Sequence, residues 1–533
     1  MTLLQWFYAL IPAACCISSS RCILHFFQLE SYQFPGYFRT LKRNPVHCLL
    51  PGPCSAVGCF LLSLILRALT ASVNSPIVHL VFGAVALALS FWWGRLLRKR
   101  FIAAHAKKDF VITGRVKRLY VVLALVMIFI GIALSFISWL VTSLWPILLP
   151  LVIALAGLLA WPIEKLISEC YFRDARRKLL SDPDLMRIGI TGSYGKTSVK
   201  HILYTLLNEK YPTFKTPKSF NTPMGVTRAI REGLQPGHRI FLGEMGARHV
   251  GDIKEMCRLV RPTVGLITSV GPQHLETFKT IERIASTKYE LIEALPQDGH
   301  AYFSDDGQIV RNLYQKTKKP KTLCGADATI CDCFYENIVG NLDGIHFTLQ
   351  LQDGERIDCR TVLLGTHNIQ NIVLAAAVAH DLGLTAKQIQ RGIAKLQPVE
   401  NRLQLMKNSG GFTVINDAFN SNPVSSKAAL ETLRAFPKRR IIITPGMVEL
   451  GKEEESYNRE FGRQIADSVD IAIIIGKKRA IPILEGLKEK GFPEDCTYQV
   501  DTLDESSQLL QKIVRATDTV MYENDLPDHY QEA

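Results

Sequence analysis

The distribution of apolar residues divides the chain in two. Up to residue 163 they come in long, nearly unbroken runs. Cys54–Ser72, Pro76–Gly94, Leu119–Leu140 and Leu144–Trp161 each approach the ~20 apolar residues that carry a helix across a bilayer, and Leu3–Ser18 is a shorter fifth. Arg67 is the one formal charge inside these runs, close enough to an end to snorkel. No basic residue precedes the apolar core of Leu3–Ser18, which argues against a cleaved leader. From about Arg187 the pattern changes to short apolar runs alternating with amphipathic helices. Ile188–Ile190, Ile240–Gly243, Val264–Ser269, Ile441–Thr444 and Ile471–Ile475 read as strands followed by turns, which predicts an α/β fold with a largely parallel sheet. Residues 324–364 interrupt it with polar–apolar alternation around Gly340, Gly344 and Gly354, as a small antiparallel insert does. Leu396–Val399 reads as a linker, with a second α/β unit from about Gly411. The predicted domains are a helical membrane domain 1–163 with about five spans, a central domain 164–397 and a C-terminal domain 398–533.

Charge adds an orientation. The chain has 62 Lys and Arg against 49 Asp and Glu, a net +13 over 533 residues. Much of the excess sits in one place: Arg95, Arg98, Lys99, Arg100, Lys107, Lys108, Arg115, Lys117 and Arg118 surround the single acid Asp109. Lying between two long apolar runs, this cluster points to membrane topology, with no nucleic-acid partner. The connections Val73–Ser75 and Val141–Ser143 carry no charge, whereas loops 19–53 and 95–118 hold Lys and Arg and are therefore expected to be cytoplasmic. Five spans place everything after Trp161 in the cytoplasm, where ATP is available. The 13 cysteines form no paired framework, which fits free thiols in a reducing compartment. Cys324, Cys331 and Cys333, with Cys359 later, lack the paired knuckles of a zinc site.

The chemistry begins at Ile188–Ser198, reading I-G-I-T-G-S-Y-G-K-T-S. An apolar run delivers a Gly-rich turn that opens a helix. Gly192 and Gly195 let the backbone N–H groups of Gly192, Ser193, Tyr194 and Gly195 turn toward phosphate oxygens. Lys196 reaches the outer phosphates, Thr197 and Ser198 follow, and the Thr197 hydroxyl suits Mg²⁺. The new helix adds its positive dipole end. The loop is one residue shorter than the usual G-x-x-x-x-G-K-[ST].

Four further clusters follow strand ends or open helices. Glu244, in E-M-G-A-R-H-V-G-D-I, ends an apolar strand, where a carboxylate can hold Mg²⁺. His274 follows another strand on the same predicted edge. G-T-H-N-I-Q-N, with Asn368 and Asn371, opens the helix Ile372–Asp381. N-D-A-F-N-S-N-P, with Asp417, forms a polar loop after the strand Phe412–Ile415, and its five polar residues in eight exceed what a turn needs. By pattern alone Lys288, in A-S-T-K-Y-E, is an ordinary helix-surface lysine.

In order, T-G-S-Y-G-K-T-S, E-M-G-x4-G-D-I, H-L-E-x-F, A-S-T-K-x-E, G-T-H-N-x-x-N, N-R-L and N-D-A-F-N-S-N-P span about residues 186–451. This set resembles the Mur ligase family, the ATP-dependent amide ligases that build the peptidoglycan stem peptide. D-A-F-N-S-N-P and M-V-E-L-G (Met447–Gly451) are most similar to its D-alanyl-D-alanine-adding branch. The resemblance implies a P-loop ATPase domain followed by a C-terminal Rossmann-like α/β domain. It implies that Lys196 and the loop amides hold ATP, and that Thr197 and Glu244 serve one Mg²⁺. His274 and a carbamylated Lys288 would serve a second. Asn368 and Asn371 would face the nucleotide, Arg402 would assist the phosphates, and Asp417 would reach the ATP from the C-terminal domain.

The implied reaction passes through an acyl phosphate, which an amine then displaces. The implied partners are a muropeptide-type acceptor, UDP-linked or lipid-linked, and an amino acid or dipeptide amine. The apolar runs and basic loops, rather than the resemblance, place the chain in the plasma membrane with the catalytic domains cytoplasmic and membrane lipid as a partner. Three departures stand out. Membrane helices occupy the place of the family's UDP-binding domain, Phe303-Ser-Asp-Asp306 replaces Asn-x-Asp-Asp, and Met521–Pro527 (M-Y-E-N-D-L-P) stands where the D-Ala-D-Ala enzymes carry Lys-Gly-Ser. A ligase making another amide polymer, of poly-γ-glutamate type, is the alternative enzyme. A transporter ATPase is disfavoured because no L-S-G-G-Q signature occurs, and a nonenzymatic scaffold because Lys196, Thr197, Glu244 and His274 are all present.

Overall fold

A computed structural model describes residues 2–71, 73, 75–101, 109–341, 344–407, 410–419 and 421–526. Ser72, Lys107, Lys108 and Pro527, named above, lie outside the described residues, as do Asn74 and Asn420 within the segments named there. The chain forms two compact units, residues 1–169 and 170–533.

Among the described residues the first unit is all-helical, and four helical stretches are long and apolar enough to cross a membrane: Pro45–Thr70, Pro76–Arg100, Gly114–Ser135 and Trp139–Leu180. A fifth candidate arises if Leu3–Ser19 and Arg21–Leu29, bent by 49°, count as one span. Helix Leu3–Ser19 buries Ala9, Ile11, Cys15 and Cys16. A Cβ at Gly94 would collide with the Cys15 carbonyl, and one at Gly131 with that of Ala9. Small residues thus let neighbouring backbones approach this helix closely, as in membrane bundles. Outward apolar side chains such as Ile77 (74% exposed) and Phe129 (73%) cover the surface. Arg118 donates two bonds to Glu164, at 2.6 and 2.9 Å.

Several expected boundaries move. The third helix ends at Ser135 rather than Leu140. Val141–Ser143, read as a loop, lies inside the short helix Trp139–Leu144, because the Ser138 hydroxyl caps it by accepting from Leu140 N–H at 3.2 Å. The last helix runs Leu149–Leu180, well past Trp161. Its final turns bring Phe172, Ala175 and Leu179 into a core of the second unit.

In the second unit β1 (Met186–Thr191), β2 (Thr213–Lys215), β3 (Ile240–Glu244), β4 (Val264–Ile267), β5 (His300–Ser304), β6 (Lys321–Gly325), β7 (Cys333–Asn341), β8 (Gly344–Gln350) and β9 (Arg356–Thr361) form one sheet. Its order is β2-β3-β1-β4-β5-β6-β7-β8-β9. The pairs from β2 through β7 are parallel, and β7–β8–β9 is an antiparallel meander. The expected insert is therefore a continuation of the same sheet, joined through β6 and β7. Both faces are covered, as a parallel sheet requires. Ile188, Ile190 and Leu266 pack with Val199, Leu203 and Ala375 on one side, while Phe241, Ile267 and Phe303 pack with Met256, Leu291 and Ile292 on the other.

A second sheet holds β10 (Gln404–Lys407), β11 (Thr413–Asp417), β12 (Arg440–Thr444), β13 (Ile471–Ile475), β14 (Thr497–Val500) and β15 (Thr519–Glu523), ordered β10-β11-β15-β12-β13-β14. Only β10–β11 is antiparallel. Two readings are corrected here. The second α/β portion starts with β10 rather than near Gly411. Asn416 and Asp417 end strand β11 instead of following it, because they continue the ladder with Tyr522 and Glu523.

Candidate active site

Chain order creates the crevice. From β1 the chain goes to one side for β2 and β3, then crosses to the other for β4, β5 and β6, so the carboxyl ends of β1, β3 and β4 open a cleft at the reversal. The loop after β1 enters it. Gly195 has φ 81°, a left-handed conformation that a side chain resists, and it caps the helix Lys196–Leu207. Residues after β4 brace the loop. Ser193 N–H donates to Ser269 O (2.9 Å), Tyr194 N–H to Ser269 Oγ (2.7 Å) and Thr268 Oγ1 to Tyr194 O (2.5 Å). Lys196 Nζ donates to the carbonyls of Gly192 (2.6 Å) and Ser193 (3.0 Å). Burial, aided by the Arg402 charge and opposed by Glu244, pushes its pKa down to about 8.

Glu244 ends β3 beside this helix. Thr197 Oγ1 donates to its two oxygens at 3.1 and 3.2 Å, Lys200 Nζ at 2.8 Å and Asn221 Nδ2 at 3.2 Å. Burial works to raise its pKa, but the Lys200 ammonium and hydrogen bond, with Lys196 and Asn221, bring it below the ordinary value. It is thus an anion, and with the Thr197 hydroxyl it offers the hard oxygen donors Mg²⁺ prefers. Lys200 also donates to the Lys218 carbonyl, tying the segment after β2 to the same carboxylate.

Lys288 corrects the surface reading: it is buried on the helix Ile281–Glu293. Among the described residues no hydrogen bond or ion pair meets its ammonium. Burial, then the Lys196 charge, lowers its pKa well below the usual lysine range. A buried lysine whose ammonium form is disfavoured suits carbamylation, which would convert it into an anionic oxygen ligand. His274 sits in a left-handed turn (φ 54°) and its Nδ1 contacts a Glu449 oxygen. Burial lowers its pKa against the pull of Glu449, and Arg248 and Lys196 add to the lowering. A ring whose Nδ1 is held by a carboxylate leaves Nε2 for a metal. Glu244 with Thr197, and His274 with Lys288, thus offer donor types that suit divalent ions.

A cavity of about 320 Å³ adjoins the loop. Tyr194, Gly195, Ser198, Asn368, Asn371, Arg402 and Asp417 all line it. Asn368 and Asn371 lie in the first turns of the helix Thr366–Asp381, which starts six residues earlier than expected. Arg402 stacks over Phe419 with its guanidinium 4.4 Å from the ring centre. Burial lifts the Asp417 pKa to about 6, although Leu403 N–H bonds its Oδ1 at 3.1 Å and Arg402 is near. At the departure Phe303–Asp306, Tyr194 OH donates to Asp306 Oδ2 (2.7 Å), and Gln370 Nε2 donates to Ser304 Oγ (3.1 Å) and Asp305 O (2.7 Å).

The sequence reading missed Lys200 and Glu449. Lys200 had a signal: it lies three and seven residues before Leu203 and Leu207, on the buried face of its helix. Glu449 had none beyond its motif, since its partner His274 is 175 residues away.

The fold and cleft define a P-loop enzyme whose nucleotide pocket is completed by a second α/β portion. Comparison with known proteins narrows this. Residues 190–379 match the family described as "Mur ligase middle domain", and 401–522 match "Mur ligase, glutamate ligase domain". The chain belongs to the Mur ligase family, and is an amide ligase that uses ATP and Mg²⁺. It is 31% identical over 331 residues to the UDP-N-acetylmuramoyl-tripeptide–D-alanyl-D-alanine ligase of Bacillus subtilis, covering 61% of this chain and 69% of that one. To the Escherichia coli enzyme of the same name it is 31% identical over 305 residues, covering 57% and 67%. Its fold resembles MurF from Acinetobacter baumannii (TM-score 0.61, 24% identity, 67% of this chain and 77% of that one). It also resembles the Thermotoga maritima MurF ligase in complex with ADP (TM-score 0.60, 24% identity, 67% and 80%).

Proposed function

We propose that the chain is a membrane-anchored ligase that joins the carboxylate of a muropeptide precursor to the amine of an amino acid or dipeptide on the cytoplasmic face of the plasma membrane. One observation carries this reading: Lys196, Thr197 and Glu244 lie beside a pocket that Arg402 and Asp417 complete from the other α/β portion. The relatives named above act on a UDP-muramoyl tripeptide and D-alanyl-D-alanine, and none of them favours a poly-γ-glutamate product. The apolar helices and the charge-free connection 73–75 support anchoring, with residues 1–163, 164–397 and 398–533 as membrane, ATP-binding and C-terminal domains.

In this reading the loop amides, Lys196 and Arg402 hold the ATP phosphates, while Asn368, Asn371 and Asp417 orient the nucleoside. Thr197, Glu244, His274 and Lys288 would hold Mg²⁺, which when bound neutralises phosphate charge. The acceptor carboxylate attacks the γ-phosphorus in line and ADP leaves. The amine then attacks the acyl carbon, and the tetrahedral intermediate collapses with loss of phosphate. The protein chiefly positions reactants and stabilises developing charge. Burial of the site between two portions keeps water from the acyl phosphate.

The deciding experiment measures phosphate release from ATP with UDP-linked and lipid-linked muropeptides. It uses full-length protein in detergent beside a chain beginning near Lys165, and D-alanyl-D-alanine among the amines. Acceptor-dependent release is expected. Equal efficiency of the short chain on the UDP-linked peptide would assign the helices to tethering alone, and no release with either acceptor would overturn the reading.

A further inference from the structure

Asp417 and Glu523 end the adjacent strands β11 and β15 and face each other in register. Glu523 is only 1% exposed. It accepts hydrogen bonds from Ser421 Oγ and from Thr444 Oγ1 (2.6 Å), and among the described residues no cationic side chain is bonded to it. Asn524, with φ 63°, stands in the left-handed conformation that suits a glycine. Glu523 is thus a buried carboxylate held by two hydroxyl donors.

Ser421 connects this carboxylate to the cleft. It lines a second small cavity, of about 20 Å³, together with His274, Glu449 and Asn524. That space holds about one water-sized group, and none of its lining residues is Lys or Arg. Because the Ser421 proton is committed to Glu523, its oxygen is free to accept a hydrogen bond from whatever occupies the cavity. An incoming amine arrives at neutral pH as an ammonium, which cannot attack until one proton leaves.

We propose that Ser421 and Glu523 form the proton relay that deprotonates the incoming ammonium beside His274. This rests on the ligase reading above. The ammonium passes a proton to Ser421 Oγ as the Ser421 proton moves to Glu523. An N–H bond breaks and an O–H bond forms on the carboxyl group. The neutral amine attacks the acyl carbon, and the remaining excess proton leaves with the departing phosphate. Products are the amide, hydrogen phosphate and protonated Glu523, which returns its proton to water. Burial, with Asp417 adding and the two hydroxyls opposing, lifts the Glu523 pKa to about 7, close to that of an effective base at neutral pH. Asp417 itself faces Arg402.

The test compares two nucleophiles on full-length protein with ATP and muropeptide: a dipeptide that is an ammonium at pH 7, and hydroxylamine, which is neutral there and traps the acyl phosphate as hydroxamate. E523Q and S421A should slow amide formation by about 100-fold at pH 7, recovering as pH rises toward the amine's own range, while hydroxamate still forms at the wild-type rate. Ser421→Ala serves where Glu523→Gln compromises folding, checked by ATP binding. Equal slowing of both nucleophiles, or of neither, overturns the relay. Absence of hydroxamate with wild-type protein overturns the ligase reading instead.

Discussion

Replacing Lys200 by Met tests whether the buried ion pair holds the metal-type carboxylate in place. The two side chains are 0% and 1% exposed and 2.8 Å apart. Removing one partner of such a pair costs about 3–5 kcal/mol, because the other charge stays buried. Thr197, Asn221 and the Lys196 charge still serve Glu244, so the lower end applies, about 3 kcal/mol. For a unit of this size that is a fall in Tm of about 6 °C, read by thermal unfolding of full-length protein in detergent. Lys200→Met combined with Glu244→Gln should regain most of the loss, since neither charge then remains. The pH dependence has a definite sign. The folded-state pKa of Glu244 lies below its unfolded value, so the carboxylate stabilises the fold at neutral pH and this is lost as pH falls through the folded pKa. The gap between wild type and Lys200→Met should therefore be widest near neutrality and close in acid. A single mutant that loses less than about 1 kcal/mol, or a gap unchanged down to about pH 4, would refute the argument.

Two further outcomes follow from the phosphate loop and the helices. Lys196→Ala should abolish acceptor-dependent ATP turnover while leaving Tm and detergent behaviour unchanged, and near-normal phosphate release would remove the loop from the reaction. Reporter fusions after Gly114 and at the C-terminus should read cytoplasmic, and one in the connection 73–75 external; an external C-terminus would part the site from ATP.

The phosphate loop, Glu244 and His274 were legible because each follows an apolar strand, and strand ends are where the sequence pattern is sharpest. Lys288 was not, although it falls four residues after Ile284 and three before Leu291 on the apolar stripe of its helix. A lysine reads as solvated unless the stripe is weighed against it. Asp417, expected to reach the nucleotide, lines the cavity beside the phosphate loop but sits in a different element than expected, because its polarity hid a strand end whose partner β15 is about a hundred residues away. Val141–Ser143 failed differently: absence of charge marks a connection across a membrane only when the chain turns there, and here Ser138 starts a helix instead. Local patterning carries helices and loops, whereas burial of single polar groups is decided by partners that no window contains.

The contact between His274 and Glu449 bears on the tempo of catalysis. The imidazole belongs to the first sheet's loops and the carboxylate to the second's; Arg248 approaches the other oxygen at 3.5 Å, and Glu276 N–H donates to the Glu449 carbonyl at 3.2 Å. This clasp exists only while the two halves are together. By reciprocity, a ligand that draws on His274 favours the shut form to the same degree that shutting favours the ligand. Should the halves part between turnovers, its lifetime would bound the cycle from both sides: too brief, and the reactive intermediate meets water; too long, and finished product waits for release.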